Sequence, residues 1–202
     1  KRVLFLWQAM NLGEPDPKPR FDDPGKRIMS VLTFVFGQKR VVMFLGGIGH
    51  FFIFWGFIMI SLATLELLVN ALFPTISFWK IPGFNIIGLI VDLISVAVLV
   101  AIVVSLIRRF FFKPVRLEGS KSGMYVAVLM LGLITVLIIT YFLMGAMRIS
   151  AGEVQAAFAP ISNLFQGVVP DAHAPNARFA YMIFWWIHLL ALLFFIALGD
   201  YS

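Results

Sequence analysis

The fold of this chain is decided by one uninterrupted apolar stretch, residues 124–147, which reads MYVAVLMLGLITVLIITYFLMGAM. The stretch carries no charge and is longer than the roughly 20 residues that a helix needs to cross the hydrocarbon core of a bilayer. Because lipid offers no hydrogen-bond partner to the backbone, such a segment must satisfy its backbone groups internally, as a helix does. The stretch therefore predicts a transmembrane helix.

Three further stretches have the same character, so the sequence predicts a bundle of four transmembrane helices. The predicted spans are 41–72, 83–107, 124–147 and 179–198. The composition agrees, because 61% of the 202 residues are hydrophobic and only 13% are charged. Soluble domains are about a quarter charged, and disordered chains are poor in hydrophobic residues. We therefore expect an all-α membrane protein.

The distribution of basic residues predicts how the bundle is oriented. Most of the 16 lysines and arginines lie before the first span or between the second and third. These residues are Lys1, Arg2, Lys18, Arg20, Lys26, Arg27, Lys39, Arg40, Arg108, Arg109, Lys113, Arg116 and Lys121. By the positive-inside rule, both ends of the chain and loop 108–123 are expected on the cytoplasmic side of a bacterial or archaeal cytoplasmic membrane. Loops 73–82 and 149–178 are expected outside.

Two loop segments predict short surface helices. In the N-terminal segment, residues 1–40, Asp23 and Pro24 are typical of a helix start, and an apolar face follows from Ile28 to Val35. We expect an amphipathic helix on the cytoplasmic surface. In the outer loop, residues 150–153 have the spacing of a capping box, which predicts a helix that lies on the surface or covers a cavity.

Two of the three histidines, His50 and His188, fall inside predicted spans. Two imidazoles on facing helices can bind the iron of a b-type haem. The alternatives are a histidine hydrogen-bonded to a neighbouring helix and a histidine in a quinone pocket. The two residues differ in predicted depth by about 13 Å at 1.5 Å per residue, which disfavours one haem held by both. His173 lies in a loop and is expected to be solvated.

Two carboxylates, Glu66 and Asp92, also lie within the spans. Ionisable groups in a membrane mark proton or substrate paths, so both are candidates for delivering protons to a quinone. The alternatives are a Glu66 that extends to the interface and an Asp92 that bonds to a neighbouring helix. The chain contains no Cys, so any iron–sulfur cluster must be held elsewhere.

Several ordered segments resemble the N-terminal membrane part of heterodisulfide-reductase-like iron–sulfur proteins, which include electron-transfer-flavoprotein:menaquinone oxidoreductases. The matching segments are 20–24, 37–40, 49–57, 63–66 and 185–189. That membrane part is similar to the gamma subunit of respiratory nitrate reductase, a five-helix module that binds haem b and reacts with quinone. The family adds one helix before the region of Lys1 and continues beyond Ser202 with a further His and a cysteine-rich domain. The chain is therefore expected to be a fragment or a processed product.

The resemblance implies that His50 and His188 are axial ligands of one or two b haems. It also implies electron exchange between haem and menaquinone, with a cytoplasmic iron–sulfur protein or domain and an electron-transfer flavoprotein as partners. The sequence is also compatible with two other functions. One is a haem-free membrane anchor for a soluble redox partner, and the other is a small transporter with Asp92, Glu66 and His188 as a proton path.

Overall fold

The computed structural model describes residues 2–10, 12, 22–73, 75–112 and 121–201, and the chain divides into two units. The first unit is Lys1–Met43 and the second is Phe44–Ser202. Loop residues 113–120 lie outside the described part. Five of the thirteen basic residues that predict the orientation also lie outside it: Lys1, Lys18, Arg20, Lys113 and Arg116.

The first unit contains three short helices: α1 (Arg2–Met10), α2 (Pro24–Val31) and α3 (Lys39–Val42), with a π-helical turn at Leu32–Phe36. The predicted helix start at Pro24 is confirmed. Asp23 does not cap α2 through its side chain, because it takes a left-handed conformation and binds Lys26 at 2.7 Å instead. The apolar side chains that follow, Ile28 among them, are exposed, as expected of an amphipathic surface helix.

The second unit is a bundle of four long helices, which confirms the predicted fold class. They are α4 (Leu45–Leu72), α5 (Phe84–Ile107), α6 (Lys121–Ser150) and α8 (Ala177–Tyr201). All four are long and apolar enough to cross a membrane. Helix α4 packs on α5, α5 on α6, and α6 on α8. Many of their large apolar side chains remain exposed, as expected where lipid is the solvent.

The core of the bundle lies between α4, α5 and α6. It is built from Val91, Val98, Ile102, Ile138 and Phe142, which are at most 2% exposed. Gly56 brings α4 against α5, since a Cβ at this position would overlap the side chain of Val98. Small residues serve this purpose widely in membrane helices, which have no hydrophobic force to drive them together.

The connection between α6 and α8 folds into the bundle instead of lying on its surface. Its short helix α7 (Pro160–Asn163) packs against α5 and α6, and Ser162 is fully buried. Phe165 stacks on Phe142 of the core, with ring centroids 5.6 Å apart. The insertion brings polar backbone groups among the spanning helices, where each needs a partner.

The predicted capping box at residues 150–153 is wrong, because these residues end a helix. Gly152 has a φ of 74°, and the N–H of Glu153 donates to the carbonyl of Arg148 at 3.0 Å. A left-handed glycine followed by this long backbone bond is the Schellman motif, which closes a helix C-terminus. Helix α6 therefore continues to Ser150, three residues beyond its predicted end.

Candidate functional site

The most polar part of the bundle interior is an ion pair between α4 and α6. Arg148 Nη1 lies 2.8 Å from Glu66 Oε2, and the two side chains are 10% and 3% exposed. Arg148 also faces Glu153, at 3.7 Å, on the exposed loop that follows α6. An unpaired charge in this environment would cost several kcal/mol, so each residue requires the other. Glu66 therefore does not extend to the interface; it pairs with Arg148, which lies one residue beyond the predicted end of its span.

A small, largely enclosed cavity of about 30 Å³ adjoins this ion pair. Its polar lining includes Thr64, Glu66, Trp79, Tyr141, Ser162 and His188. Trp79 reaches the cavity from the short 3₁₀ turn Phe78–Lys80, and its ring packs on Phe84 and over Gly88. Pockets for drug-sized ligands are about 300–1,000 Å³. The cavity is far smaller, so it has no room for a porphyrin.

His188 lies at the inner face of α8 and is 2% exposed. Its Nδ1 is 2.8 Å from Thr140 Oγ1 on α6, and its Nε2 is 3.2 Å from Thr64 Oγ1 on α4. The Thr140 hydroxyl also lies within 3.0 Å of two carbonyls of its own helix, which can accept its hydrogen. With the proton of His188 on Nδ1, Nδ1–H donates to Thr140 and Nε2 accepts from the Thr64 hydroxyl.

This arrangement bears directly on haem binding at His188. A ligand histidine donates its Nδ1–H to a neighbour and binds iron through Nε2, and Thr140 supplies the first of these contacts. Thr64 occupies the Nε2 side, and the adjoining cavity of about 30 Å³ is too small for a porphyrin. The hydrogen-bonded alternative for this residue therefore describes the observed geometry, and a haem at His188 would require α4 to move away from α8.

His50 lies near the start of α4, and its side chain is exposed. Thr64, which contacts His188, is 14 residues further along the same helix, or about 21 Å at 1.5 Å per residue. The structure therefore does not bring His50 and His188 together. The neighbouring Gly49 faces Ala101 and Ser105 of α5.

Asp92 binds the inserted loop. One carboxylate oxygen accepts from the backbone N–H of Ile161 at 2.6 Å, and the other accepts from the N–H and the hydroxyl of Ser162 at 3.1 and 2.6 Å. All three partners are donors, which suits a carboxylate that acts only as an acceptor. The observed geometry is therefore the alternative in which Asp92 bonds to a neighbouring helix, and that helix is α7 of the loop.

A lipid-facing groove lies between α4 and α8, near the end of the bundle that carries Glu153. Its volume is about 420 Å³, and its lining includes Leu67, Asn70, Arg178, Tyr181, Met182 and Trp186. Asn70, Arg178 and Tyr181 also line an adjoining space of about 280 Å³ that reaches Arg148 and Glu153. An aromatic and apolar groove with a few convergent polar groups is typical of sites for small hydrophobic ligands.

A hydrogen-bonded turn holds the loop before α8 to the end of α6. Asp171 accepts from the N–H of His173 at 2.9 Å and from the hydroxyl of Ser150 at 3.1 Å. These bonds hold the pKa of the Asp171 carboxyl below its usual value. His173 is exposed, as expected.

The sequence analysis missed five residues of the site: Thr64, Trp79, Thr140, Arg148 and Ser162. Threonine and serine give no signal in a hydropathy pattern, because they are common in membrane helices of every function. Arg148 carried a usable signal. A charge one residue beyond a predicted span that faces an unpaired intramembrane carboxylate is a candidate partner for it.

The fold and site define a helical membrane protein with a paired, hydrogen-bonded polar interior. The chain is 29% identical over 195 residues to the EtfAB:quinone oxidoreductase of Syntrophomonas wolfei, covering 91% of this chain and 27% of that protein. It is 28% identical over 183 residues to the probable iron-sulfur-binding oxidoreductase FadF of Bacillus subtilis, covering 89% of this chain and 25% of that protein. The chain thus spans about a quarter of the length of the curated relatives it matches. Both relatives are named as oxidoreductases.

No family model matches the chain. No solved structure matches it either.

Proposed function

We propose that the chain is a cytochrome b-type electron-transfer module that exchanges electrons between the menaquinone pool and a cytoplasmic redox partner. The observation that carries this proposal is the likeness to an EtfAB:quinone oxidoreductase over 91% of the chain. The absence of Cys means that iron–sulfur clusters would come from a partner protein or a further domain. An electron-transfer flavoprotein would supply or receive the electrons. In this proposal the membrane part corresponds to the gamma subunit of nitrate reductase, and both chain ends face the cytoplasm.

His50 is the residue best suited to hold haem b. Its exposed imidazole on α4 can bind iron, and the second axial ligand would come from outside the described residues. Bound haem would supply a one-electron carrier. The role of His188 as a ligand stays a prediction that the contacts to Thr64 and Thr140 do not favour.

The groove between α4 and α8 is the proposed quinone site. Met182 and Trp186 offer apolar and aromatic surface to the ring and tail, while Tyr181 and Arg178 offer donors to the quinone oxygens. Behind the groove, Arg148 holds Glu66 as an ionised carboxylate in the ion pair, so in this proposal Glu66 can accept a proton released by a quinol at this end of the bundle. Asp92, with three donors bound to it, acts in the proposal as an anchor for the loop.

The haem proposal is tested by the dithionite-reduced spectrum of the full chain in detergent, with haem quantified per chain. We expect a Soret band and an α band that His50→Ala abolishes. The exposed loop variant His173→Ala is the matched control and should keep both bands. Purified protein that stays colourless when the producing cells are supplied with haem contradicts the proposal.

A second candidate function is a haem-free membrane anchor for a soluble redox partner. The observation that favours it is His188, whose two ring nitrogens are both hydrogen-bonded within the bundle. A colourless chain that still recruits a cytoplasmic iron–sulfur protein to membranes would establish the anchor and exclude the cytochrome.

A further inference from the structure

Two residues that line the cavity beside the Glu66–Arg148 pair each carry a buried polar atom without a hydrogen-bond partner among the described residues. Glu66 Oε1 is a buried acceptor and Trp79 Nε1 is a buried donor, and neither has a hydrogen-bond partner among the described residues. Both residues line the same cavity. A buried polar atom without a partner costs about 1–3 kcal/mol, so a folded chain rarely leaves two beside one another.

The position of Glu66 explains why one carboxylate oxygen remains unmet. Oε2 receives the guanidinium of Arg148 at 2.8 Å, which orients the carboxylate across the space between α4 and α6. Oε1 makes no bond to Arg148 and belongs to a residue that is only 2% exposed. An ionised carboxylate has capacity for several further hydrogen bonds.

The position of Trp79 explains the unmet donor. Gly88 lacks a side chain, and the six-membered ring of Trp79 occupies the place where a Cβ would stand. Phe84 fixes the indole from the side in an edge-to-face contact at 5.3 Å. These contacts bury Nε1, although Trp79 belongs to the connection outside the spanning helices. An indole N–H can only donate, so it requires an acceptor.

We propose that this cavity is a binding site for one or two water molecules that bridge Glu66 and Trp79. A water donates to Glu66 Oε1 and accepts from Trp79 Nε1, so both atoms gain a hydrogen-bond partner. The cavity volume of about 30 Å³ matches, because a site for one water needs about 10–15 Å³ on this measure. Thr64, Tyr141 and Ser162 on the same wall supply the remaining partners that a buried water requires.

Other occupants fit the cavity less well. A porphyrin or quinone ring is too large for it, and a lipid chain would leave both polar atoms unmet. A metal ion is not supported, since the described residues contain no cluster of three or more His, Asp and Glu side chains that could hold one. Water is the one common ligand that is small enough and both donates and accepts.

The proposal gives Glu66 a hydrated oxygen inside the membrane and gives Trp79 the role of closing the site. It is independent of haem and quinone, because every group that carries it belongs to this chain. Failure of the cytochrome proposal would therefore leave this one standing, and the reverse also holds.

Radiolytic labelling with ¹⁸O water tests the site in the full chain in lipid nanodiscs. Radicals formed from a bound water label the nearest side chains even when these are buried. Met144 lines the cavity and is 4% exposed, so we expect it to acquire ¹⁸O in the wild type. Ala63→Val fills the cavity from α4 and should abolish this label. Ala71→Val, the same change two turns later on α4 and outside the cavity, should leave the label unchanged.

A wild-type Met144 without label overturns the proposal, and so does a label that survives Ala63→Val in folded protein. If that variant does not fold, a map of the wild type that resolves ordered water decides the matter. The proposal requires a water peak within about 3.2 Å of both Glu66 Oε1 and Trp79 Nε1. Lipid density, or no density, at that position contradicts it.

Discussion

The carboxylate of Asp92 on α5 receives both the backbone N–H and the hydroxyl of Ser162, a residue of the loop between α6 and α8. The contact joins two residues that are 70 positions apart in the chain and are both fully buried. It explains how the N-terminal end of α7 can lie among spanning helices, since an acidic group satisfies the free N–H groups of a helix start.

Asp92→Asn should therefore loosen the inserted loop. An amide offers one acceptor in place of two and turns an N–H₂ group toward the loop donors, at a cost of about 1–3 kcal/mol in unfolding free energy. Hydrogen exchange of the Ile161 and Ser162 amides should accelerate. Ser95→Ala, a buried change on the same helix that removes only a bond to Val91, is the control and should not affect these amides. Unchanged exchange in Asp92→Asn would contradict the anchoring role.

The Glu66–Arg148 pair should behave as a unit. Removing one charge leaves the other buried and unpaired, so Arg148→Met should cost about 3–5 kcal/mol of unfolding free energy. The double variant Glu66→Leu/Arg148→Met removes both charges and should recover part of that loss. Denaturant unfolding in detergent measures the cycle. Additive costs of the two single changes would show that the residues do not interact.

The close approach of α4 to α5 should depend on Gly56. In Gly56→Ala the added methyl group would meet Val98 at the centre of the core, and overpacking of this kind costs about 1–3 kcal/mol of unfolding free energy. Gly132→Ala on α6 is the matched control, because a Cβ there meets nothing within 4 Å. Thermal unfolding of both variants in nanodiscs compares them. Equal stability of the two variants would refute the packing role of Gly56.

The turn that Asp171 stabilises should weaken in acid. Because the bonds from His173 and Ser150 lower the folded pKa of Asp171, its contribution is fully present above the unfolded value of about 3.9 and is lost as the pH falls through the lower folded value. The amide of Ala172, which donates to Ser150 Oγ, reports the turn. The hydrogen-exchange rate of this amide, corrected for the intrinsic rate, should rise below about pH 4 in the wild type. In Asp171→Asn the corrected rate should be high at every pH. Identical profiles in the two proteins would exclude this role.

Hydropathy was sufficient to predict the four spans, because a bilayer demands about 20 apolar residues from each helix whatever its neighbours are. It does not specify which helix faces meet, and the site depends on those faces. The apolar run ends at Met147, which sets the predicted end of the span, whereas the helix continues to Ser150 and includes Arg148. A buried partner 82 residues away keeps that charge within the helix.

The path of the loop between α6 and α8 could not be predicted from the sequence for a related reason. The small and polar residues at 150–153 suit either end of a helix, and only the positive φ of Gly152 identifies the C-terminal end. The contacts of His188 to Thr64 and Thr140 could not be predicted either, because a hydroxyl in a membrane helix can bond to its own backbone as well as to another helix. The aromatic surroundings of His188 and the glycines near His50 were visible in the sequence, but they fit helix packing as well as cofactor binding.

The most direct test of the electron-transfer account is the addition of a menaquinol analogue to the oxidised, haem-loaded full chain in nanodiscs, followed by absorbance in the α band. The account predicts that the band appears with quinol alone, and that Tyr181→Phe and Arg178→Gln raise the quinol concentration needed for half-maximal rate. Trp55→Phe, a change on α4 away from the groove, should behave as the wild type. A chain that binds no haem, or whose haem is reduced by dithionite and not by quinol, would contradict the account.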